Sequence, residues 1–411
     1  MSGRTDSATD SVTAVSSTAV PRVGLLDPTF YVDLDAMHEA FTWLRANDPV
    51  HYDESSGMWG ITRHADVLRV ERDDATFSSH GSYRSRLSQG EDNMIAQDNP
   101  RHLEQRRLVI PKLAPAGVRK LEPKVRSLVT ELVDAICDAG GSVEVVEALA
   151  AQLPARLTAE LLGFPEERWS DLKSWSERLM RIDSVTEDPE IASGFIAALG
   201  EFGQALNAAV GERRGCPADD LISTWANAQL HDGPLPDSAI FNETGLFISG
   251  GSETTRTVIA RGLATFCEHP DQWELLAREP ERIPDAVEEL LRWVTPLNNM
   301  FRRATTPADV GGAHVPEGAR LVLLYPSANR DEAVFDEPFR FDVTRHPNHH
   351  LAFGSGTHFC VGANLARFEL RVLFEELTKR ITDLHVVTPP DIEKNIFAGA
   401  VRSFELGYTV R

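Results

Sequence analysis

The run from Asp237 to Glu268 constrains this chain more than any other segment. Apolar residues recur through it at three- and four-residue spacing, so it reads as one long helix. Asp237, following Pro234 and Pro236, is the candidate cap at its start, and His269-Pro270 stops it. Inside it lies Gly250-Gly251-Ser252-Glu253-Thr254-Thr255. A glycine in a helix interior costs about 1 kcal/mol against alanine, so two in succession call for a reason. Thr254 follows Gly250 by four residues, which lets its hydroxyl bond the Gly250 carbonyl and open the helix locally. One reading is a polar notch in an apolar wall. The other is a packing kink, where glycine admits a neighbouring helix. The string alone does not decide between them.

Helical spacing also marks Ala36–Asn47, Val118–Ala139, Val145–Leu162, Glu166–Ile182, Ile191–Arg214, Asp271–Arg278, Pro284–Trp293 and Asn364–Arg380. Strand-like segments are short: Val50–Tyr52, Met58–Ile61, Arg320–Tyr325 and Leu384–Val387, with Ala313–Gly318 read as a turn. There is no internal repeat and no regular βα alternation. The expected fold is mainly α with a small β portion, in one domain over residues 25–411. A tail over residues 1–24, rich in Ser, Thr and Ala, is expected to be disordered.

Charge and cysteine usage exclude several classes. The net charge of −21 disfavours nucleic acid. No stretch of about 18 apolar residues exists to span a membrane. The four cysteines (Cys137, Cys216, Cys267, Cys360) have no framework spacing, which suits a reducing cytoplasm. Basic residues still cluster locally, at Arg106, Arg107, Lys112, Arg119, Lys120, Lys124 and Arg126.

Cys360 ends the string Phe353-Gly354-Ser355-Gly356-Thr357-His358-Phe359-Cys360-Val361-Gly362, just ahead of the Asn364–Arg380 helix. A cysteine there meets backbone N–H groups and the positive end of the helix dipole, and both favour thiolate. A lone cysteine is usually a small buried hydrophobe. Zinc lacks a second nearby cysteine despite His346, His349, His350 and His358. A phosphate loop lacks the Gly-Lys-Ser/Thr ending. A thiolate in a glycine-rich loop can also be the axial ligand of a haem iron, favouring O–O cleavage.

Two charged pairs accompany it. Glu289 and Arg292 stand at i and i+3, so they can pair on one helix face, or form an ordinary surface pair. His102 and Arg106 stand at i and i+4 after Pro100, two donors on one face suited to a carboxylate pair, or an exposed basic face.

Together these strings resemble the cytochrome P450 family of haem-thiolate monooxygenases. Phe-x-x-Gly-x-His-x-Cys-x-Gly matches its cysteine signature, and Gly250-Gly251-Ser252-Glu253-Thr254-Thr255 its oxygen-activating motif. The motifs occur in family order, and the resemblance covers about Asp27 to Arg411, on the branch without a membrane anchor.

The resemblance implies a long central helix over haem b (iron protoporphyrin IX), with Cys360 as the metal ligand. It implies Glu253 and Thr254 as the catalytic acid–alcohol pair that supplies protons. His102, Arg106, Arg302 and His358 would hold the haem propionates, and Gly250, Phe353 and Gly362 would complete the cofactor site. Glu289 and Arg292 become a buried brace, with Arg340 as its third member. By analogy Leu246, Phe247, Leu297, Met300, Phe397 and Val401 make an apolar pocket, with Asn298 and Asn299 as polar additions and Arg84 and Arg86 able to meet an acid.

The expected activity is insertion of one oxygen atom of O2 into a C–H bond of a small hydrophobic substrate. A sterol or branched-lipid side chain is suggested by Asp27-Pro28-Thr29-Phe30-Tyr31 and Asn298-Asn299-Met300-Phe301-Arg302, and terpenoids stay open. Electrons would come from a ferredoxin and its reductase, docking near Cys360 with Arg107 and Lys112 as contacts. The protein is expected to be a cytoplasmic monomer. A peroxide-driven hydroxylase and a non-catalytic haem-binding protein are the alternatives, and both sit poorly with an intact Glu253-Thr254 pair.

Overall fold

The structure is a computed structural model that describes residues 22–87, 90–186 and 188–411. The expected tail therefore lies mostly outside the described residues.

The helices in chain order are α1 (Leu34–Asn47), α2 (His64–Arg72), α3 (Arg101–Leu113), α4 (Pro115–Ala139), α5 (Gln152–Leu162), α6 (Trp169–Leu179), α7 (Pro189–Gly215), α8 (Leu221–Ala226), α9 (Asp237–Glu268), α10 (Pro270–Arg278), α11 (Ile283–Val294), α12 (Tyr325–Ala328) and α13 (Ala363–Arg380). Local chemistry sets their ends. Asp33, Asp188 and Asp220 accept N–H bonds at the starts of α1, α7 and α8, as capping carboxylates do. Proline occupies the first turn of α4, α10 and α11, where its missing N–H costs nothing.

At 1.5 Å per residue, α9 runs about 48 Å through the helical body. It packs on α5, α6, α11 and α13. Its two glycines do different work. A Cβ on Gly251 would sit 2.7 Å from Thr158 Oγ1 of α5, so that glycine permits close helix approach. A Cβ on Gly250 would meet nothing within 4 Å. Both readings of the motif therefore hold, one for each glycine.

The core follows the 3.6-residue period. In α11 the buried Ala286, Val287, Leu290, Leu291 and Val294 form one stripe. They join Val258, Leu263 and Phe266 of α9 and Leu370, Leu373, Phe374 and Leu377 of α13. A second cluster gathers α5 to α8 around Leu162, Leu172, Phe202, Leu221 and Trp225.

Two small sheets flank the helices. Strands β1 (Val50–Asp53), β2 (Met58–Ile61), β3 (Phe77–Ser78), β4 (Ser142–Glu144), β5 (Gln229–Leu230), β6 (Gly233–Pro234), β7 (Asn299–Ala304), β8 (Ala308–Val310), β9 (Ala313–Val315), β10 (Arg320–Leu324), β11 (Ile381–Thr388) and β12 (Glu405–Val410) are short. The larger sheet has order β1-β2-β10-β7-β3, with β10 parallel to β2 and antiparallel to β7. The other has order β11-β12-β4, and β5-β6 and β8-β9 are hairpins. No helix among the described residues is long and apolar enough to cross a membrane.

Several expectations need correction. The helix expected over Val145–Leu162 is divided. A wide turn, with Ala151 N donating to Val146 O at 2.8 Å, precedes α5. Ahead of that turn, Val145 N donates to Phe404 O at 2.8 Å. The run over Glu166–Ile182 is likewise α6 flanked by tight 3-10 turns. Ala313–Gly318 begins as strand β9, paired with β8, before it turns.

Candidate active site

A cavity opens between α9 and the loop before α13, lined by residues of both. Its walls include Leu246, Phe247, Val258, Leu291, Leu365 and Leu370.

Cys360 lies on the floor. By area it is exposed, but the face it exposes is turned to the cavity. Its N–H donates to Phe353 O at 2.9 Å, which folds the loop back on itself. Gly356 makes that fold sterically feasible. It adopts φ +64°, and a Cβ there would sit 2.4 Å from the Glu71 carbonyl oxygen of α2. Burial pushes the Cys360 thiol up, while N–H groups of Gly362 and Ala363 and the Arg106 and Arg367 charges pull it down. A bound metal cation would tip that balance fully to thiolate.

The rim beside Cys360 carries four donors and little negative charge. Arg302 is buried and makes one bond, from Nη1 to Phe301 O at 2.8 Å. Arg106 donates to Phe359 O. His102 places Nδ1 2.8 Å from Met94 O and Nε2 3.1 Å from Thr357 O. A neutral imidazole has one N–H, so it satisfies only one of those carbonyls. The ring of His358 lies 4.1 Å from that of His102, centroid to centroid. Burial, with Arg302, His102 and Arg106 nearby, pushes His358 down to about 2. All four residues line the cavity.

Two arginine charges crowded beside two neutral imidazoles are costly without an anion. Among the described residues, two carboxyls line the cavity: Glu369 of α13, pushed up by burial to about 8, and, on the same wall as the donors, Glu71. Burial pushes it up to about 7, Tyr325 Oη donates to it at 2.5 Å, and its Oε2 has no partner. One carboxyl so placed does not neutralise the rim. The donor set therefore fits the two propionates of a haem, and the apolar walls with Cys360 fit its ring and iron.

Above Cys360, the Thr254 hydroxyl donates to Gly250 O at 2.9 Å, and both residues line the cavity. Glu253 points elsewhere. It is buried on the far side of α9, bonded to Arg256, with Oε2 unpartnered. Burial pushes its carboxyl up, against the pull of Arg256. From there a row of charges leads outward: Arg256 to Glu177, Glu177 to Lys173, and Lys173 to Glu147 at the surface.

The brace lies behind the cavity. Glu289 and Arg292 form a two-point pair at 2.7 Å, both side chains at 0% exposure. Arg340 is not its third member. Its side chain is exposed and pairs with Glu337 and Asp342, while its backbone carbonyl accepts from Arg292 at 3.2 Å. Arg345 takes that place, 3.2 Å from Glu289 Oε2.

Leu246, Phe247, Leu297, Met300 and Phe397 line the cavity as expected, as do Phe353 and Gly362. Val401 does not; it is fully buried in the helical core and bridges to Ile392. Asn298 and Asn299 are occupied in holding the carbonyls of Asn395 and Ile396. Arg84 lines the cavity, whereas Arg86 is exposed and bonds Thr186. Lys112 is bound to Asp219, while Arg107, Arg119 and Lys120 are exposed. Glu71, Tyr325 and Met180 also line the cavity and were not anticipated. Glu71 sits in a nine-residue helix too polar to show a long apolar stripe.

The profile of the cytochrome P450 family matches residues 212–401. A steroid C26-monooxygenase of Mycobacterium tuberculosis is 38% identical, over 91% of this chain and 93% of its own. A linalool 8-monooxygenase of Pseudomonas putida is 34% identical, over 88% of this chain and 92% of its own. Among solved structures, a Mycobacterium marinum cytochrome P450 in complex with pseudoionone superposes with a TM-score of 0.87 at 30% identity, covering 96% of this chain and all of its own.

Proposed function

This chain belongs to the cytochrome P450 family of haem-thiolate monooxygenases, and we propose that it hydroxylates the side chain of a sterol or branched lipid. The likeness to steroid C26-monooxygenases from mycobacteria and Rhodococcus jostii carries the substrate reading. The largely apolar cavity lends it support.

When bound, haem supplies oxygen activation and C–H oxidation; the protein supplies the ligand, the proton route and the substrate pose. Cys360 would hold the iron, with backbone N–H groups stabilising its thiolate. Arg302, Arg106, His102 and His358 would hold the propionates through charge-assisted bonds. Thr254 holds a hydroxyl proton in the notch and would pass it toward the cavity. Glu253 would replenish that proton by turning from Arg256 toward the cavity, Arg256 acting as its anchor and not as a proton carrier. Excluding bulk water from the apolar upper cavity keeps that route selective.

Electrons would come from a ferredoxin and its reductase. Exposed Leu103, Ile110 and Phe359 lie close to Arg107 in sequence or to Cys360, an apolar centre with a basic rim. The test of substrate class is a spin-state titration of the haem-loaded protein with sterols, terpenoids and branched fatty acids. Sterols or branched lipids should shift the spectrum at the lowest concentration; a response confined to terpenoids would contradict the reading.

A further inference from the structure

Arg84 stands on the cavity wall beside Met180, Leu297, Met300 and Phe397. Its guanidinium is held in place from several sides. The guanidinium carbon lies 5.2 Å from the Tyr83 ring centre and 5.0 Å from that of Phe397, within cation–π reach of both. Its Nε donates to Tyr83 Oη at 3.0 Å, and that hydroxyl in turn donates to Glu91. The backbone is fixed as well, because Arg320 binds the carbonyls of Arg84 and Ser85.

What the guanidinium lacks, among the described residues, is an anion in direct contact. The charges of nearby Glu91 and Asp183 favour the guanidinium without forming an ion pair with it among the described residues: Glu91 accepts from Tyr83, Asp183 Oδ1 accepts from Ser85, and Asp183 Oδ2 has no partner. Nη1 of Arg84 is buried and, among the described residues, has no hydrogen-bond partner. An arginine cannot shed its charge to relieve this. A buried, unpartnered donor on an ion carries a large desolvation cost. Among the described residues the neighbouring wall of Met180, Leu297, Met300 and Phe397 is apolar and offers no anion.

We propose that Arg84 is the substrate-positioning residue of this cavity and receives the carboxylate of an otherwise apolar substrate. The inference rests on the monooxygenase reading and narrows its substrate to lipid acids. Guanidinium and carboxylate match in a two-point geometry that a hydroxyl or ester lacks. With the acid end at Arg84, the apolar end is left for the Thr254 and Cys360 region of the same cavity. Oxidation then falls on carbons remote from the carboxylate.

The test is binding to the haem-loaded protein, followed by calorimetry and by spin-state titration. The probes are hexadecanoic acid, a methyl-branched hexadecanoic acid, and the methyl ester and alcohol of each. The acids should bind at least about tenfold more tightly than their esters, a difference of about 1.4 kcal/mol. Arg84→Gln and Arg84→Met should abolish that preference, and Arg84→Lys should keep part of it. Equal binding of acid and ester by the unaltered protein overturns the proposal, as does absence of acid binding. A preference that survives in Arg84→Gln overturns it too. Failure of the monooxygenase reading is distinct: it shows as loss of the thiolate signature in the reduced carbonyl spectrum of the unaltered protein, whichever ligand binds.

Discussion

Arg345 closes on the Glu289 carboxylate at 3.2 Å from 56 residues downstream, so one fully buried acid is shared by two arginines. Asp342 N and Asn348 Nδ2 donate to the same carboxylate at 3.0 Å each. Removing the acid leaves Arg292 buried without a counter-charge. Glu289→Ala should therefore cost about 3–5 kcal/mol. Arg345→Ala should cost about 1.5–3 kcal/mol, the range for bonds to charged groups. Arg340→Ala, at an exposed side chain, should leave stability nearly unchanged. Urea unfolding of the three variants checks the order.

The proposed proton-donor role of Thr254 rests on its hydroxyl occupying the cavity face of α9. Thr254→Ala should lower product formed per O2 consumed severalfold, with most of the difference appearing as peroxide. Thr254→Ser should restore much of it. Oxygen-electrode measurements against product yield decide the matter; full coupling in Thr254→Ala would remove the role assigned to the hydroxyl.

Glu243 makes stability depend on pH. Its Oε1 accepts from Met94 N at 2.8 Å, while its Oε2 has no partner. Burial pushes the carboxyl from 4.5 up to about 8, with nearby Asp92 adding to the rise. A raised carboxyl favours the folded state at low pH. That contribution is complete below about pH 4.5 and is lost as pH rises through about 8. Glu243→Gln keeps an acceptor for Met94 N and removes the titration. Its thermal midpoint should exceed that of the unaltered protein at pH 8, by a margin that shrinks toward pH 5. A pH-independent margin would contradict the assignment.

The docking face separates Arg107 and Lys120 from Lys112. Arg107 and Lys120 are exposed, whereas Lys112 Nζ is 2.6 Å from Asp219 Oδ1. Arg107→Glu and Lys120→Glu should lower ferredoxin-driven turnover severalfold at low salt, with the gap narrowing as salt rises. Lys112→Glu should act less on turnover and more on the local fold. Turnover unaffected by Arg107→Glu and Lys120→Glu would move the docking face elsewhere.

Much of this architecture could be read from one-dimensional periodicity. The helix Asp237–Glu268 has the same ends in sequence and structure, because prolines and His269-Pro270 act locally, although Pro236 and not Asp237 stands at its cap, the Asp237 carboxylate pairing instead with Arg214. The notch was legible for the same reason, since Thr254 and Gly250 are one turn apart. Arg345 was not, because the loop between Glu337 and Arg345 folds so that Arg340 lends its carbonyl and Arg345 its side chain. Val401 failed likewise: an apolar residue near a pocket reads the same whether it faces the pocket or the core. The direction of Glu253, away from the cavity and toward Arg256, depends on packing among α5, α6 and α9. Glu71 reaches the rim only because the turn at Gly356 is folded against α2.

Every functional statement depends on Cys360 binding haem iron as a thiolate. The most direct test is the spectrum of the protein loaded with haem, reduced and exposed to carbon monoxide. The account predicts the strongly red-shifted Soret band of thiolate ligation, retained in Thr254→Ala and lost in Cys360→Ser. A band at the shorter wavelength of imidazole ligation, or a red-shifted band that survives Cys360→Ser, would contradict it.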